Sequence, residues 1–224
     1  MAEPIIVTLD GPAGVGKTTL AKRVAQELGV AYLDTGGMFR ATAHALGQDG
    51  LQLSNEELAN ELEKLRFSLQ GSGADTVLLC NNRPVGDEVR TEAVSMLAST
   101  MATKPIVREF QKQAQQALGA DTSLVAEGRD MGTVIFPQAP HKFFLDARPE
   151  ERAQRRLRQY QAMGKDADLA ELTQSIRARD EQDRNRTVAP LKPADDAHII
   201  DTSELDKEQV FQEIIGSIQG NVNG

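Results

Sequence analysis

One octapeptide constrains this chain more than any other feature. Residues 11–18 read Gly-Pro-Ala-Gly-Val-Gly-Lys-Thr and match the pattern G-x-x-x-x-G-K-[ST]. The match follows a short apolar run at residues 5–9, typical of a buried strand, and precedes apolar residues at helical spacing over 20–28. Glycines let backbone N–H groups converge on phosphate oxygens, Lys17 can reach the β- and γ-phosphates, and the Thr18 hydroxyl can bind Mg²⁺. This context predicts a nucleotide-phosphate site; the alternative is a Gly-rich turn with only a structural role.

Short apolar runs alternate with helical patterns along most of the chain. Strands are predicted at residues 5–9, 30–33, 124–126, 142–145 and 198–200, and helices at 19–28, 106–118, 150–163 and 169–179. This alternation indicates an α/β protein, which we expect to be a P-loop three-layer sandwich with a five-stranded parallel sheet. Residues 65–90 depart from this order of strands and helices. They contain alternating apolar and polar residues and an Asn81-Asn82 turn signal, which predict a small antiparallel insert.

Charge and composition restrict the partners and the compartment. The net charge of −8 argues against a nucleic-acid partner, and no apolar run approaches the ~18 residues needed to span a membrane. The first residues lack a secretory signal, and Cys80 is the only cysteine. We therefore expect a soluble cytoplasmic protein, and a monomer because nothing resembles a dimer seam.

Arginines are concentrated in one part of this acidic chain. Nine of the sixteen arginines lie between Arg148 and Arg186, interspersed with Asp and Glu. The cluster indicates either a local anion site or an exposed helical surface with many ion pairs.

A P-loop occurs in GTPases, motors, transporters and kinases, and a kinase also needs a second site with Arg or Lys near the transferred phosphoryl group. Thr35 is expected to cap a helix after the second strand, with Arg40 directed at an acceptor phosphate. After the third strand, Arg129 could hold a phosphate and Asp130 could accept from an exocyclic amino group. The alternatives are an ordinary cap with a surface arginine, and an ion pair between Arg129 and Asp130.

The arginine-rich segment offers a third candidate. Arg179, Asp183 and Arg186 are spaced four and three residues apart, and the apolar stripe of Leu172 and Ile176 extends toward them. Arg179 is therefore expected to point inward and to need an anion. That anion is either Asp183, within a structural network, or a ligand phosphate or ribose hydroxyl.

These segments together resemble bacterial cytidylate kinase. The resemblance rests on residues 10–17, 34–36, 127–133 with Phe136-Pro137, and 179–186, and extends from about residue 5 to about residue 215. It implies transfer of the γ-phosphoryl group of ATP to CMP or dCMP, with Mg²⁺. It also implies a single domain over residues 1–224, with a monophosphate-binding insert at about 62–100 and a lid at about 150–166.

The resemblance also implies roles for individual residues. Those implied to bind ATP are Gly11, Pro12, Ala13, Gly14, Val15, Gly16, Lys17, Thr18 and Thr19, with Thr18 as a metal ligand. Those implied to bind the acceptor are Arg40, Arg129 and Arg186 at its phosphate, Ser99, Arg108 and Asp130 at cytosine, Arg179 and Asp183 at ribose, and Thr35 as a further polar contact. Those expected at the transferred group are Lys17, Arg129, Arg155, Arg156 and Arg186, with Arg152 and Arg158 also in the lid.

The resemblance has one departure that affects the acceptor site. Phe39 stands before Arg40 where the family pattern leads us to expect Tyr, so any hydroxyl contact there is lost. Two alternative functions remain open from sequence: a P-loop kinase for another small acceptor such as UMP or AMP, and a nucleotide-binding module without turnover.

Overall fold

The structure is a computed structural model that describes residues 4–220; residues 1–3 and 221–224 lie outside the described part. Its main sheet has the strand order β2-β6-β1-β7-β8, and every neighbouring pair is parallel. The predicted five-stranded parallel sheet is thereby confirmed. The strands are β1 Ile6–Asp10, β2 Ala31–Asp34, β6 Leu124–Gly128, β7 His141–Asp146 and β8 His198–Asp201.

Helices cover both faces of this sheet. They are α1 Lys17–Leu28, α2 Thr35–Leu46, α3 Asn55–Leu62, α4 Glu92–Met101, α5 Pro105–Ala120, α6 Pro149–Ala162, α7 Leu169–Asn185 and α8 Lys207–Gly220. Local sequence explains several ends. Ser54 and Glu57 form a capping box before α3, and proline opens α5 and α6 at a position where no N–H partner is needed. Gly29 ends α1 with a left-handed residue.

Alternation along the strands divides the core into two halves. Val7 and Leu9 of β1 pack on the face covered by α1 and α8, whereas Ile6 packs on the face covered by α5. The buried leucines and phenylalanines on these faces each contribute about 1.5–3 kcal/mol of transfer free energy. The resulting three layers hold the carboxyl ends of the strands rigidly at one edge.

The predicted antiparallel insert is also confirmed. Its strands are β3 Phe67–Gln70, β4 Val77–Cys80 and β5 Arg83–Pro84, in the order β3-β4-β5. Asn81 and Asn82 have φ values of 50° and 62°, as a two-residue hairpin turn with two left-handed positions requires. The Gly73 N–H donates to the Val30 carbonyl at 2.7 Å, so the insert covers the outer edge of β2.

Candidate active site

The phosphate loop leaves β1 at Asp10 and enters α1 at Lys17. Gly11 has a φ of 147°, and a Cβ there would lie 2.1 Å from the Leu145 carbonyl oxygen, so only glycine lets the loop pass β7 this closely. Gly16, with a φ of 104°, precedes the first residue of α1. The helix therefore begins with unpaired N–H groups at the loop, which is a suitable arrangement for phosphate oxygens.

Lys17 is buried at the base of this loop. Its ammonium donates to the carbonyl oxygens of Gly11 and Pro12, both at 2.7 Å. Burial, followed by repulsion from Arg129, lowers the pKa of Lys17 well below its ordinary value, against the attraction of Glu127. A phosphate group at the loop would offset both effects by supplying negative charge.

A buried carboxylate faces the loop from β6. Thr18 donates its hydroxyl to Glu127, at 2.8 Å to Oε1 and 3.1 Å to Oε2, and the Tyr32 hydroxyl also donates to Oε1. Burial and then repulsion from Asp34 raise the pKa of Glu127, while Lys17 and both hydrogen bonds oppose the rise. Within residues 4–220, no three His, Cys, Asp or Glu side chains converge as a metal site. One carboxylate beside one hydroxyl suits Mg²⁺, which usually takes one or two carboxylates together with substrate phosphates and water.

A buried ion pair lies just beyond the carboxyl end of β6. Arg108 of α5 donates to Asp130 at 2.5 Å, and these side chains are 10% and 7% exposed. The Arg108 guanidinium also lies 5.9 Å from the ring centroid of Phe39. Burial raises the pKa of Asp130, and Arg108 is the largest opposing influence. The pair presents a guanidinium donor beside a carboxylate acceptor, while an ion pair between Arg129 and Asp130 is not formed.

Asp10 connects the phosphate loop to the segment after Asp130. Its carboxylate accepts the N–H groups of Met131 at 2.9 Å and Gly132 at 2.8 Å, at the start of a π-helical turn over Met131–Ile135. Burial raises the pKa of Asp10 to about 6, while these two hydrogen bonds lower it. The position of the turn after Asp130 is thus fixed from the strand that carries the phosphate loop.

Positive charge accumulates around Arg129. This side chain donates to Asp183 at 2.9 Å, and Arg186 lies 3.7 Å from the same carboxylate. Loss of hydration is the main cause that lowers the pKa of Lys17, of Arg186 and of the solvent-exposed Arg179, and repulsion from Arg129 contributes in all three. These four cations therefore lie near one another, and two of them, Arg129 and Arg186, share the Asp183 carboxylate.

Two arginine nitrogens in this region have no hydrogen-bond partner among residues 4–220. Nε of Arg40 and Nη2 of Arg186 are buried and make no hydrogen bond, although Arg40 binds Asp34 at 2.9 Å and Arg186 donates to the Ala189 carbonyl at 2.7 Å. A buried N–H without an acceptor is costly, and an anion between the arginines would satisfy it.

Two expectations at these positions are wrong. Asp34, not Thr35, caps α2 by accepting the Gly37 N–H at 2.7 Å; Thr35 is the first helical residue and donates to the Glu127 carbonyl at 2.6 Å. Arg179 is not enclosed in the interior as expected: it is exposed to solvent while facing Arg129 and Asp183, and Asp180 is the buried charge on α7.

Ser99, expected near the base, lies exposed on α4. No hydrogen bond joins its side chain to Arg108 or Asp130 in this structure, and its contact with the base stays a prediction.

The arginines of α6 are in three different situations. Arg152 is only 1% exposed and bonds to Asp180, whereas Arg155 donates to the Val15 carbonyl at 3.4 Å and to Thr202. Arg156 is exposed and donates to its neighbour Tyr160 at 3.0 and 3.2 Å. Arg158 is also exposed. Arg152 is thus anchored in the protein interior and does not share the accessibility of Arg156 and Arg158.

No role was predicted for Glu127, although it directly follows the predicted strand at residues 124–126. The missing information was strand order: β6 lies between β1 and β2, so its last acidic residue meets Thr18 and Tyr32. An acid at the end of a strand that follows a P-loop was the available signal. No comparable sequence pattern indicated the contacts of Tyr32 and Asp10.

Comparison with known proteins identifies relatives over the whole length. The family model described as cytidylate kinase matches residues 7–220. A protein named cytidylate kinase from Oleidesulfovibrio alaskensis is 60% identical, with 98% of this chain and 100% of that protein covered. Another of that name from Maridesulfovibrio salexigens is 57% identical, with 100% of both covered. Within residues 4–220, none of the helices is long and apolar enough to cross a membrane.

Proposed function

From the premise that this chain belongs to the cytidylate kinase family, we propose how its residues transfer the γ-phosphoryl group of ATP to CMP or dCMP. The products are ADP and CDP or dCDP. The observation that carries the assignment of residues is the convergence of Lys17, Arg129, Arg179 and Arg186, with unpaired N–H groups on Arg40 and Arg186.

The donor end of the site is the phosphate loop. Backbone N–H groups of residues 11 and 13–19 bind the phosphates of ATP, beside Pro12, which has no N–H to donate, and Lys17 exchanges its two carbonyl acceptors for β- and γ-phosphate oxygens. This exchange restores an anionic partner to a buried ammonium. It is supported by the lowered pKa of Lys17, which reports a site that favours a negative ligand.

Thr18 and Glu127 hold the metal end of the donor site. Mg²⁺ held by these residues would neutralise negative charge on the phosphates of ATP. The Thr18 hydroxyl donates its hydrogen bond to Glu127, so the lone pairs of its oxygen stay available for a cation. Both oxygen-bearing side chains fit a hard divalent cation.

The acceptor phosphate is bound by Arg40, Arg129 and Arg186. The unpaired nitrogens of Arg40 and Arg186 provide donors, and guanidinium groups suit phosphate oxygens because they bind them in pairs. Thr35 lies at the start of the helix that carries Arg40 and contributes a polar group at the same end.

The base is recognised by Asp130 and Arg108, and Ser99 is assigned as a further contact. Cytosine offers an N4 amino donor to the carboxylate and N3 and O2 acceptors to the guanidinium. Uracil would present a carbonyl to Asp130, and the buried mismatch would disfavour it. Arg179 and Asp183 contact the ribose.

Phosphoryl transfer itself needs positioning and charge stabilisation more than covalent help from the protein. The attacking oxygen of the acceptor is already anionic near neutral pH, so no general base is assigned. Lys17, Arg129, Arg155, Arg156 and Arg186 neutralise the charge that develops on the transferred group. In this assignment residues 150–166 act as a lid that excludes water, and Arg155 leaves Thr202 to reach the phosphates.

The proposal includes the setting in which the protein works. It keeps the monomer expected from the sequence, in which nothing resembles a dimer seam. A cytoplasmic location is included because both nucleotide substrates belong to that compartment.

The first test is ADP release from Mg·ATP with CMP, dCMP, UMP, AMP or no acceptor. Release with CMP and dCMP alone is expected. Equal rates with UMP would contradict the role of Asp130, and ADP release that does not depend on any acceptor would contradict the kinase assignment.

A further inference from the structure

Tyr32 and Glu127 lie on neighbouring strands and on the same face of the sheet. In the parallel register of β2 and β6, Tyr32 is opposite Val125 and Asp34 is opposite Glu127. Tyr32 and Val125 belong to the core on the α1 face, while Ala126 belongs to the opposite face. Because strand residues alternate, Glu127 returns to the α1 face, where its carboxylate meets Thr18.

One carboxylate oxygen of Glu127 accepts hydrogen bonds from two hydroxyl groups. Oε1 of Glu127 accepts from Thr18 at 2.8 Å and from Tyr32, whereas Oε2 is 3.1 Å from the Thr18 hydroxyl. A glutamate side chain has three rotatable bonds, so a single hydroxyl cannot fix the plane of its carboxylate. Glu127 is 6% exposed, so water has little access to provide the second contact.

Tyr32 is itself held in place from three directions. Its side chain is buried in the sheet–α1 core, and the Lys22 ammonium lies 5.5 Å from its ring centroid. Its backbone N–H donates to the Thr76 hydroxyl of the insert at 3.0 Å. The phenol therefore reaches Glu127 from a rigid base, as a supporting group beyond a ligand shell should.

We propose that Tyr32 is a positioning residue for the metal end of the donor site, acting through Glu127. Its hydroxyl holds the carboxylate in the orientation that accepts the hydrogen bond from Thr18. The lone pairs of the Thr18 oxygen are then directed at a cation. This inference rests on the proposed function, since it concerns how the chain binds Mg·ATP. It extends that function by assigning a role to a side chain of β2 that touches neither ATP nor the acceptor.

The test is calorimetric titration of ATP into the protein with and without Mg²⁺ and without an acceptor, so that no turnover is measured. Tyr32→Phe keeps the ring, its contact with Lys22 and the backbone bond to Thr76, and removes only the hydroxyl. The gain in ATP affinity that Mg²⁺ provides is expected to fall about tenfold, while ATP affinity without Mg²⁺ stays within about twofold. A variant that keeps the full gain would overturn the inference.

A second arm shows whether the effect passes through Glu127. In a Glu127→Gln background, Tyr32→Phe is expected to add no further loss, and an undiminished loss would exclude this route. Thr42→Val on α2 is a matched control, because it also removes a buried hydroxyl. That hydroxyl accepts a hydrogen bond from the Gln111 side chain at 2.7 Å. That variant is expected to keep the full gain, and an equal loss in it would show a general effect of core hydroxyls and would overturn the inference.

The same titrations separate this inference from the proposed function. If wild-type protein binds ATP equally with and without Mg²⁺, both the metal site and the role of Tyr32 are overturned. If wild-type protein gains affinity and Tyr32→Phe gains as much, only the role of Tyr32 is overturned. Thermal unfolding of each variant, recorded at ligand concentrations below saturation, checks that the compared proteins are folded.

Discussion

Arg152 of α6 and Asp180 of α7 form a buried ion pair in which both carboxylate oxygens accept from the guanidinium. The Nη1–Oδ1 distance is 2.9 Å, and Arg152 also donates to the carbonyls of Ala147 and Ala13 at 2.9 and 3.1 Å. One side chain thus links the proposed lid helix, the helix that carries Asp183, and the phosphate loop. Any lid motion is expected to leave this connection in place and to occur further along α6.

The ion pair gives a prediction about stability. Asp180→Asn leaves the Arg152 charge buried without its partner, so the free energy of unfolding is expected to fall by about 3–5 kcal/mol. Urea denaturation measures this loss. Glu150→Gln is the matched control, because Glu150 pairs with Arg177 between the same two helices while 50% and 63% exposed. It should cost less than about 1 kcal/mol, and similar losses in both variants would contradict the argument.

Asp10 gives a prediction about pH. Burial raises its pKa from 3.8 to about 6, so the folded protein holds this proton more tightly than the unfolded chain. The stabilisation that this proton provides is complete below pH 3.8 and is lost as the pH rises through about 6. Relative to Asp10→Asn, wild-type protein should therefore lose on the order of 2 kcal/mol between about pH 4.5 and 7.5.

The measurement is urea denaturation of both proteins at several pH values. The asparagine variant cannot accept both the Met131 and Gly132 N–H groups with full strength, so its absolute stability is expected to differ. The difference in slope with pH is the informative quantity, because an offset caused by a lost hydrogen bond does not depend on pH. Parallel curves would show that Asp10 has an ordinary pKa.

Local pattern was enough to predict the phosphate loop, the parallel strands and the Asn81-Asn82 turn, because each is specified by residues close in sequence. The charge pairs of the site were not predictable in this way. A mutual ion pair between the adjacent Arg129 and Asp130 was left open as an alternative, yet each is paired with a distant residue instead, Asp183 and Arg108. Those partners depend on how α5 and α7 pack around β6, which no local pattern encodes.

A small difference in helix phase explains the error at Arg179. The stripe from Leu172 through Ile176 continues equally well three or four residues later, at Arg179 or Asp180. The structure follows the four-residue step, because Asp180 there meets Arg152. Which of the two residues is buried depends on Arg152, a side chain of another helix, so periodicity within α7 could not predict it.

Asp130 gives a prediction about specificity. Asp130→Asn replaces the acceptor for the cytosine amino group and leaves Arg108 without its carboxylate. The value of kcat/KM for CMP is expected to fall by about 30–150-fold, which corresponds to about 2–3 kcal/mol, while discrimination against UMP decreases. Steady-state ADP release with both acceptors measures this. Glu61→Gln, an exposed carboxylate paired with Lys64, should leave the ratio unchanged; unchanged discrimination in Asp130→Asn would remove Asp130 from base recognition.

The arginines of α6 give a prediction that separates binding from turnover. If Arg155 and Arg156 act on the transferred group, alanine at either position should lower kcat by about 10²–10³-fold and change the CMP dissociation constant by less than about threefold. For Arg155 the effect requires that the side chain give up Thr202 and Val15, so the structure with both nucleotides bound should show those bonds broken. Lys165→Ala changes an exposed cation beyond the end of the same helix and serves as the comparison. Full turnover combined with equal losses of ATP and CMP affinity would mean that these arginines only attract the nucleotides, because a group that acts in the transition state must alter kcat.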